Sequence, residues 1–219
     1  MPRAQPGCSP ETDLDDGRRV NPLEATLRHI GADLAGLGVG QALVGGLAVS
    51  VRTEPRFTRD VDLALAVEDD SSAEAVIRSL LERGYHSVAA VEHEATGRLA
   101  TVRLTSPVGE GAVVDLLLAS SGIEHEIVAQ AEQIEVLPGL TAPVATTGHL
   151  ITLKLLARDD LARPQDLGDL RALLSAARRE DLESARASLE LVTTRGYHRG
   201  RDLSAALLEL LGEGRGSSG

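Results

Sequence analysis

Apolar positions change their period along this chain, and the change separates strands from helices. Residues 41–44, 61–67 and 112–118 are short, nearly continuous apolar runs, the length and composition of buried strands, and 98–104 also reads as a strand. The last two flank the turn Ser106-Pro107-Val108-Gly109-Glu110-Gly111, which predicts an antiparallel hairpin. Strands near 86–91 and 133–137 would extend the same sheet. Helical spacing governs residues 22–37, where Asn21-Pro22 supplies a cap and a first-turn proline. It returns over 71–83, where Ser71 and Glu74 form a capping box and Gly84 a stop. Beyond Thr146 four helices are predicted, near 147–158, 165–177, 180–195 and 201–212. The pattern gives an α/β (α+β) protein with a mixed-sheet core over 21–140 and a helical domain over 141–212 that closes one side of a cleft. Residues 1–20, polar and rich in proline, read as a disordered leader, and 213–219 as a flexible tail.

Charges that interrupt this pattern point to chemistry. Asp60 and Asp62 stand two apart at the start of an otherwise apolar strand, so their side chains share a face. Carboxylates placed that close repel unless a cation lies between them, and Mg²⁺ favours a few carboxylates plus phosphate oxygens. Upstream, the strand 41–44 runs into Gly45-Gly46, after which Leu47, Ala48, Val49 and Val51 begin a helix. Glycines allow an anion close to the backbone, and the first amides of a helix offer unpaired donors, so this turn can cradle phosphates. Thirteen residues separate Gly46 from Asp60, and they carry Arg52, Arg56 and Arg59, positive charge suited to phosphate. The plain alternative is an ordinary turn followed by a solvated acidic strand edge.

Asp115 is the single charge in the strand 112–118, and pairing with a core arginine is its bland explanation. Lys154 is the only lysine of the chain and has Arg158 four residues on, on the same helix face. A compact ammonium on a flexible stem can follow phosphate charge through a reaction, which a guanidinium does less readily.

The words Val44-Gly45-Gly46, Arg56-Phe57-Thr58-Arg59 and Asp60-Val61-Asp62 resemble those of the polymerase-β-like nucleotidyltransferase superfamily, and most closely its AbiEii and MenT toxin families. Lys154, Arg158, Arg163, Asp166 and Asp169 match the order of a second motif of those toxins; Gln165 departs from it, since a basic residue usually precedes the first Asp. The resemblance implies a mixed-sheet nucleotidyltransferase core with a C-terminal helical bundle. It implies Asp60, Asp62 and Asp115 as Mg²⁺ ligands, and Asp115 or Asp166 as the group that accepts the acceptor's proton. Gly45, Gly46, Thr58, Arg59 and Arg158 would contact the NTP, and Lys154 and Arg158 would neutralise transition-state charge. Thr58 is the position where related toxins suggest a regulatory hydroxyl, and Asp166 is equally suited to capping a helix. The implied activity is transfer of an NMP from an NTP to an acceptor hydroxyl, with a tRNA 3′ end as acceptor and a cognate antitoxin as partner. An aminoglycoside-modifying transferase is the rival, and a non-catalytic nucleotide-binding or partner-binding relative the third reading.

Composition narrows the partners. With 219 residues, 42% of them hydrophobic, the chain can bury an ample core. A net charge of −11 opposes a broad nucleic-acid surface and leaves room for a small RNA contact, for which the segment 195–201, with three arginines, is a candidate beside the solvated-loop reading. Phe57, Tyr85 and Tyr197 are the only aromatics, too few for multi-base stacking. Cys8 is the single cysteine, and the six histidines lack zinc spacing, so His125 and His149 read as surface or cap residues. No apolar run reaches the length of a membrane span, and a cytoplasmic enzyme is expected.

Overall fold

A computed structural model describes residues 21–94, 96–158 and 164–216. The expected leader with Cys8, and Arg163 of the second motif, lie outside them. Seven strands form one mixed sheet: β1 (Gly40–Val44), β2 (Val61–Ala66), β3 (His86–Glu92), β4 (Leu99–Thr105), β5 (Val113–Leu117), β6 (Glu132–Leu137) and β7 (Leu140–Val144), in the order β3-β4-β5-β2-β1-β7-β6. The central strands β5, β2 and β1 bury both faces, which is why they read as continuous apolar runs rather than alternating ones. β2 pairs antiparallel with β1 and parallel with β5, and the expected β4–β5 hairpin is antiparallel.

Helices α1 (Pro22–Gly36), α2 (Gly45–Arg52), α3 (Asp70–Glu82) and α4 (Glu124–Ala129) accompany the sheet, and α5 (Thr147–Ala157), α6 (Pro164–Ala176), α7 (Arg179–Thr194) and α8 (Leu203–Gly216) follow it. α1 and α4 pack on β1 and β2, whereas α2 contacts β2, α5 and α6 and so links sheet to bundle. One apolar cluster runs through both, from Leu27 and Leu65 to Leu155, Leu189 and Leu207. Among the described residues no helix is long and apolar enough to cross a membrane.

Several local expectations need correction. The cap of α3 is Asp69, whose side chain accepts from the Ser72 N–H, so the helix starts before the Ser71–Glu74 box. α4 and β7 had no expectation from the pattern, and the sheet therefore extends to Val144. α8 runs to Gly216, into the segment expected as a tail. The 195–201 arginines serve the fold: Arg195 pairs with Glu126 at 2.6 Å and donates to the Gly122 carbonyl, while Arg201 donates to the Leu156 carbonyl and, at 2.9 Å, to that of Arg158. Arg201 thereby satisfies open carbonyls at the end of α5, while Arg195 ties the end of α7 to α4 and the turn before it.

Arg52, expected near phosphate, is likewise a brace. Its guanidinium donates to Ala145 O at 2.9 and 3.1 Å, to Val144 O at 3.3 Å and to Glu132 at 2.6 Å, tying α2 to β6 and β7. Only 14% of its side chain is exposed, against 58% for Glu132. Arg52→Ala is therefore expected to lower stability in urea denaturation by about 2 kcal/mol, and Glu132→Ala by less than about 1 kcal/mol, because the former strands two carbonyls and the latter removes a solvent-screened charge. Equal losses would contradict the brace.

Candidate active site

Strand register brings the acidic residues together. Asp62 on β2 and Asp115 on β5 are direct partners, as are Asp115 and Arg103 of β4, so the three side chains stand in one row on one face. Asp60 lies just before β2, half-buried, and its charge acts on Asp62. Asp115 is buried and held by Arg103 through two bonds, Nε to Oδ1 at 2.8 Å and Nη2 to Oδ2 at 2.6 Å. The arginine partner considered for Asp115 thus exists, although it sits at the edge of the acidic group rather than in the apolar core: 45% of its side chain is exposed. Its charge is stabilised chiefly by Asp115, with Asp60 and Asp62 adding to the effect. Sequence reading missed Arg103; its place opposite Asp115 across the hairpin was the available signal.

Asp62 bears the uncompensated charge. Burial first, then the charges of Asp115 and Asp60, push its carboxyl from an ordinary 3.8 up to about 6; Lys154 and the Gly46 N–H oppose the rise. The Gly45-Gly46 turn explains that last contact. Gly45 has φ +63°, and a Cβ there would overlap the Asp62 carboxylate. Val44 gives α2 no side-chain cap, so Asp62 answers the open helix terminus in its place. A Cβ on Gly46 would come within 2.8 Å of Arg56 Nη2 and 3.1 Å of Thr58 Oγ1, so both side chains also converge on the turn.

The helical half contributes a second charged group. Lys154 Nζ lies 2.6 Å from Asp166 Oδ1 and 2.7 Å from Asp169 Oδ2, and Arg56 Nη2 is also 2.7 Å from Asp169 Oδ2. Asp166 and Asp169 are buried at 4% and 5% exposure, three residues apart on α6 and hence on one face. The second oxygen of Asp166 is buried without a partner among the described residues. Asp166 is therefore within α6, holding Lys154, rather than at its cap. Arg59 is exposed, its guanidinium 5.2 Å from the Phe57 ring, and Arg158 closes α5 at its C-terminus. His125 is at the surface as expected and meets the Val67 carbonyl at 3.0 Å, whereas His149, expected as a surface or cap residue, is buried with Nδ1 3.1 Å from the cap residue Thr146.

Among the described residues no group of three His, Cys, Asp or Glu side chains is gathered closely enough to hold a metal ion. The expected trio is present as neighbours, with Asp115 taken by Arg103. Its donor chemistry still fits Mg²⁺: three carboxylates, one of them raised by its neighbours' negative charge, which a divalent cation would relieve. Two open surface cavities lie elsewhere, one lined by Leu27, Gln41, Leu63 and Leu140, the other between α7 and α8.

Asp62 makes stability depend on pH with a definite sign. Its folded value of about 6 exceeds the ordinary 3.8, so the fold binds the proton more tightly and loses stability as pH rises through that interval. At about 1.4 kcal/mol per pH unit the cost at neutral pH is on the order of 3 kcal/mol. In chelated buffer Asp62→Asn is expected to melt above wild type at pH 8, with the gap narrowing toward pH 5. A lower melting temperature at pH 8 would count against this electrostatic reading.

Comparison with known proteins bears on the fold and the family. No curated protein matches the sequence significantly. The solution structure of the antibiotic-resistance factor ANT(2″)-Ia superposes with TM-score 0.52 at 18% identity, covering 82% of this chain and 97% of that one. The crystal structure of ANT(2″)-Ia with adenylyl-2″-tobramycin gives TM-score 0.50 at 16% identity, covering 75% and 95%. An antigenic nucleotidyltransferase-like protein from Paracoccidioides brasiliensis gives 0.48 at 18%, covering 83% and 89%. The family described as "Nucleotidyl transferase AbiEii toxin, Type IV TA system" matches residues 31–215. With the match spanning the sheet, the acidic row and the helical half, the chain belongs to the AbiEii family and is a nucleotidyltransferase of the polymerase-β-like fold.

Proposed function

We propose that this nucleotidyltransferase uses Mg²⁺ to move an NMP from an NTP onto a tRNA 3′ end, releasing pyrophosphate, and that a cognate antitoxin restrains it. The observation that carries the reading is the in-register pair Asp62–Asp115 beneath the Gly45-Gly46 turn, with Asp60 beside it. Asp60, Asp62 and Asp115 would hold the ion, which supplies charge stabilisation at the transferring phosphoryl group. The Gly46 end of α2, with Arg56 and Thr58 against it, receives the triphosphate. Arg59, exposed beside Phe57, is free of the core and can turn to the same phosphates. Lys154 acts on Asp62 through its charge and is fixed in place by Asp166 and Asp169. Asp166 then positions the lysine, and Arg158 at the end of α5 would contact the NTP and neutralise transition-state charge. The domain organisation that suits this is a sheet half binding nucleotide and a helical half supplying Lys154.

A small-molecule acceptor is the second reading, favoured by the net charge of −11, which suits a cationic drug better than RNA. Incubation with Mg²⁺ and each labelled NTP decides between them. Label is expected on total tRNA and not on aminoglycosides, falling by at least about 100-fold in Asp62→Asn, whose fold is checked by its melting curve. Label on the drug alone selects the second reading. No transfer to either acceptor, with NTP bound, removes both. Co-expression with a neighbouring gene product should restore growth if the antitoxin assignment is right.

Lys154→Ala is expected to fail for a structural reason first. It leaves Asp166 buried without a counter-ion and Asp169 with Arg56 alone, and should cost about 3 kcal/mol in chemical denaturation. Lys154→Arg, which keeps the charge, should retain more stability than activity. An undiminished denaturation midpoint in Lys154→Ala would overturn the pairing.

A further inference from the structure

We propose that Arg103 is a gate on the carboxylate centre: in the nucleotide-free enzyme its guanidinium occupies the oxygens of Asp115, and a divalent cation binds there only by displacing it. This rests on the reading of Asp60, Asp62 and Asp115 as the ion's ligands. Arg103 uses both oxygens of Asp115, at 2.8 and 2.6 Å, in the fork geometry that makes such pairs strong. The guanidinium therefore stands where a cation bridging Asp115 to Asp62 would draw its charge balance. Asp60 and Asp62 also stabilise it, so it serves the whole acidic group and not one partner alone.

Two features make this a gate rather than a permanent tie. Guanidinium keeps its proton at any physiological pH, so no titration releases Asp115; only a competing cation can. The side chain is also free to leave. It is 45% exposed, and its strand neighbour toward the sheet edge is Ala89, small and exposed on β3, so a swing outward disturbs no packed group. Lys154 is the contrast: 13% exposed and held by two buried carboxylates, it is fixed. A bound triphosphate gives the displaced guanidinium new oxygens within reach, whereas free Mg²⁺ offers it none. Metal and nucleotide consequently bind together, and the enzyme without nucleotide holds metal weakly.

The test is Mn²⁺ binding to nucleotide-free protein, read by the loss of the free-ion electron paramagnetic resonance signal. Arg103→Gln removes the competing charge and is expected to bind Mn²⁺ at least about tenfold tighter than wild type, the scale on which an adjacent arginine shifts a carboxylate. Arg103→Lys keeps the charge without the fork and should fall between the two. Adding Asp115→Asn to Arg103→Gln should abolish the gain. Melting curves establish that each variant is folded, and Arg103→Lys carries the test if Arg103→Gln is not. Equal or weaker binding in the Arg103 variants, with binding lost in Asp62→Asn, overturns the gate and leaves the metal centre standing. Absence of Mn²⁺ binding in every protein overturns the centre and the gate with it.

Discussion

Two carboxylates side by side on adjacent strands are the constraint around which this protein is arranged. Asp62 and Asp115 meet because β2 and β5 run parallel in register, and a one-residue slip of either strand would carry its acid to the opposite face and undo the packing of both buried faces. The hydrophobic pattern thereby enforces an unfavourable electrostatic contact. The surroundings answer it unevenly: Asp115 receives a guanidinium, whereas Asp62 receives one backbone N–H and a more distant ammonium. The residual repulsion stays with Asp62, a cost that a fold selected for stability alone would discard and that accords with the proposed cation-binding role.

Gly45 shows how tightly the backbone serves that contact. Its positive φ and missing Cβ let the turn approach the Asp62 carboxylate, so the glycine is required by the acid before any nucleotide arrives. Gly46 is different, since the space a Cβ would fill belongs to Arg56 and Thr58, which can move. The two glycines of one motif thus have separate physical reasons, one fixed by an internal carboxylate and one compatible with an incoming phosphate.

Much of the fold and part of the site were legible in the sequence, and the boundary between the two has physical causes. Central strands and amphipathic helices declare themselves through period, and isolated acids in apolar runs stand out. Arg103 does not, because its partner is set by cross-strand register rather than by neighbours in the chain. β7 escaped because Pro143 inside a five-residue run weakens its strand signature, although it forms a hairpin with β6 around the Pro138-Gly139 turn. α4 is only six residues long and begins at the buried Glu124, whose carboxylate accepts from the backbone and hydroxyl groups of Ser120 and Ser121. Local spacing carries no sign of that satisfaction. Arg52 and Arg201 were misjudged for the same reason: positive charge was visible, and the carbonyls it serves were not.

The composition of the cations follows from these geometries. Arginine fills the positions where one side chain must bind several separated oxygens: Arg52 three backbone carbonyl contacts and a carboxylate, Arg201 two carbonyls at a helix end, Arg103 both oxygens of one acid. A planar fork with five donors suits such work. The single lysine occupies a different kind of place, where two buried carboxylates one helical turn apart converge on a point. An ammonium can meet both from one nitrogen. That choice has a chemical consequence. The charge of Lys154 is compact, fixed and directed at Asp62, whereas that of Arg103 is broad and half in solvent. On the proposed reading, one cation stays beside the carboxylate group and the other leaves it.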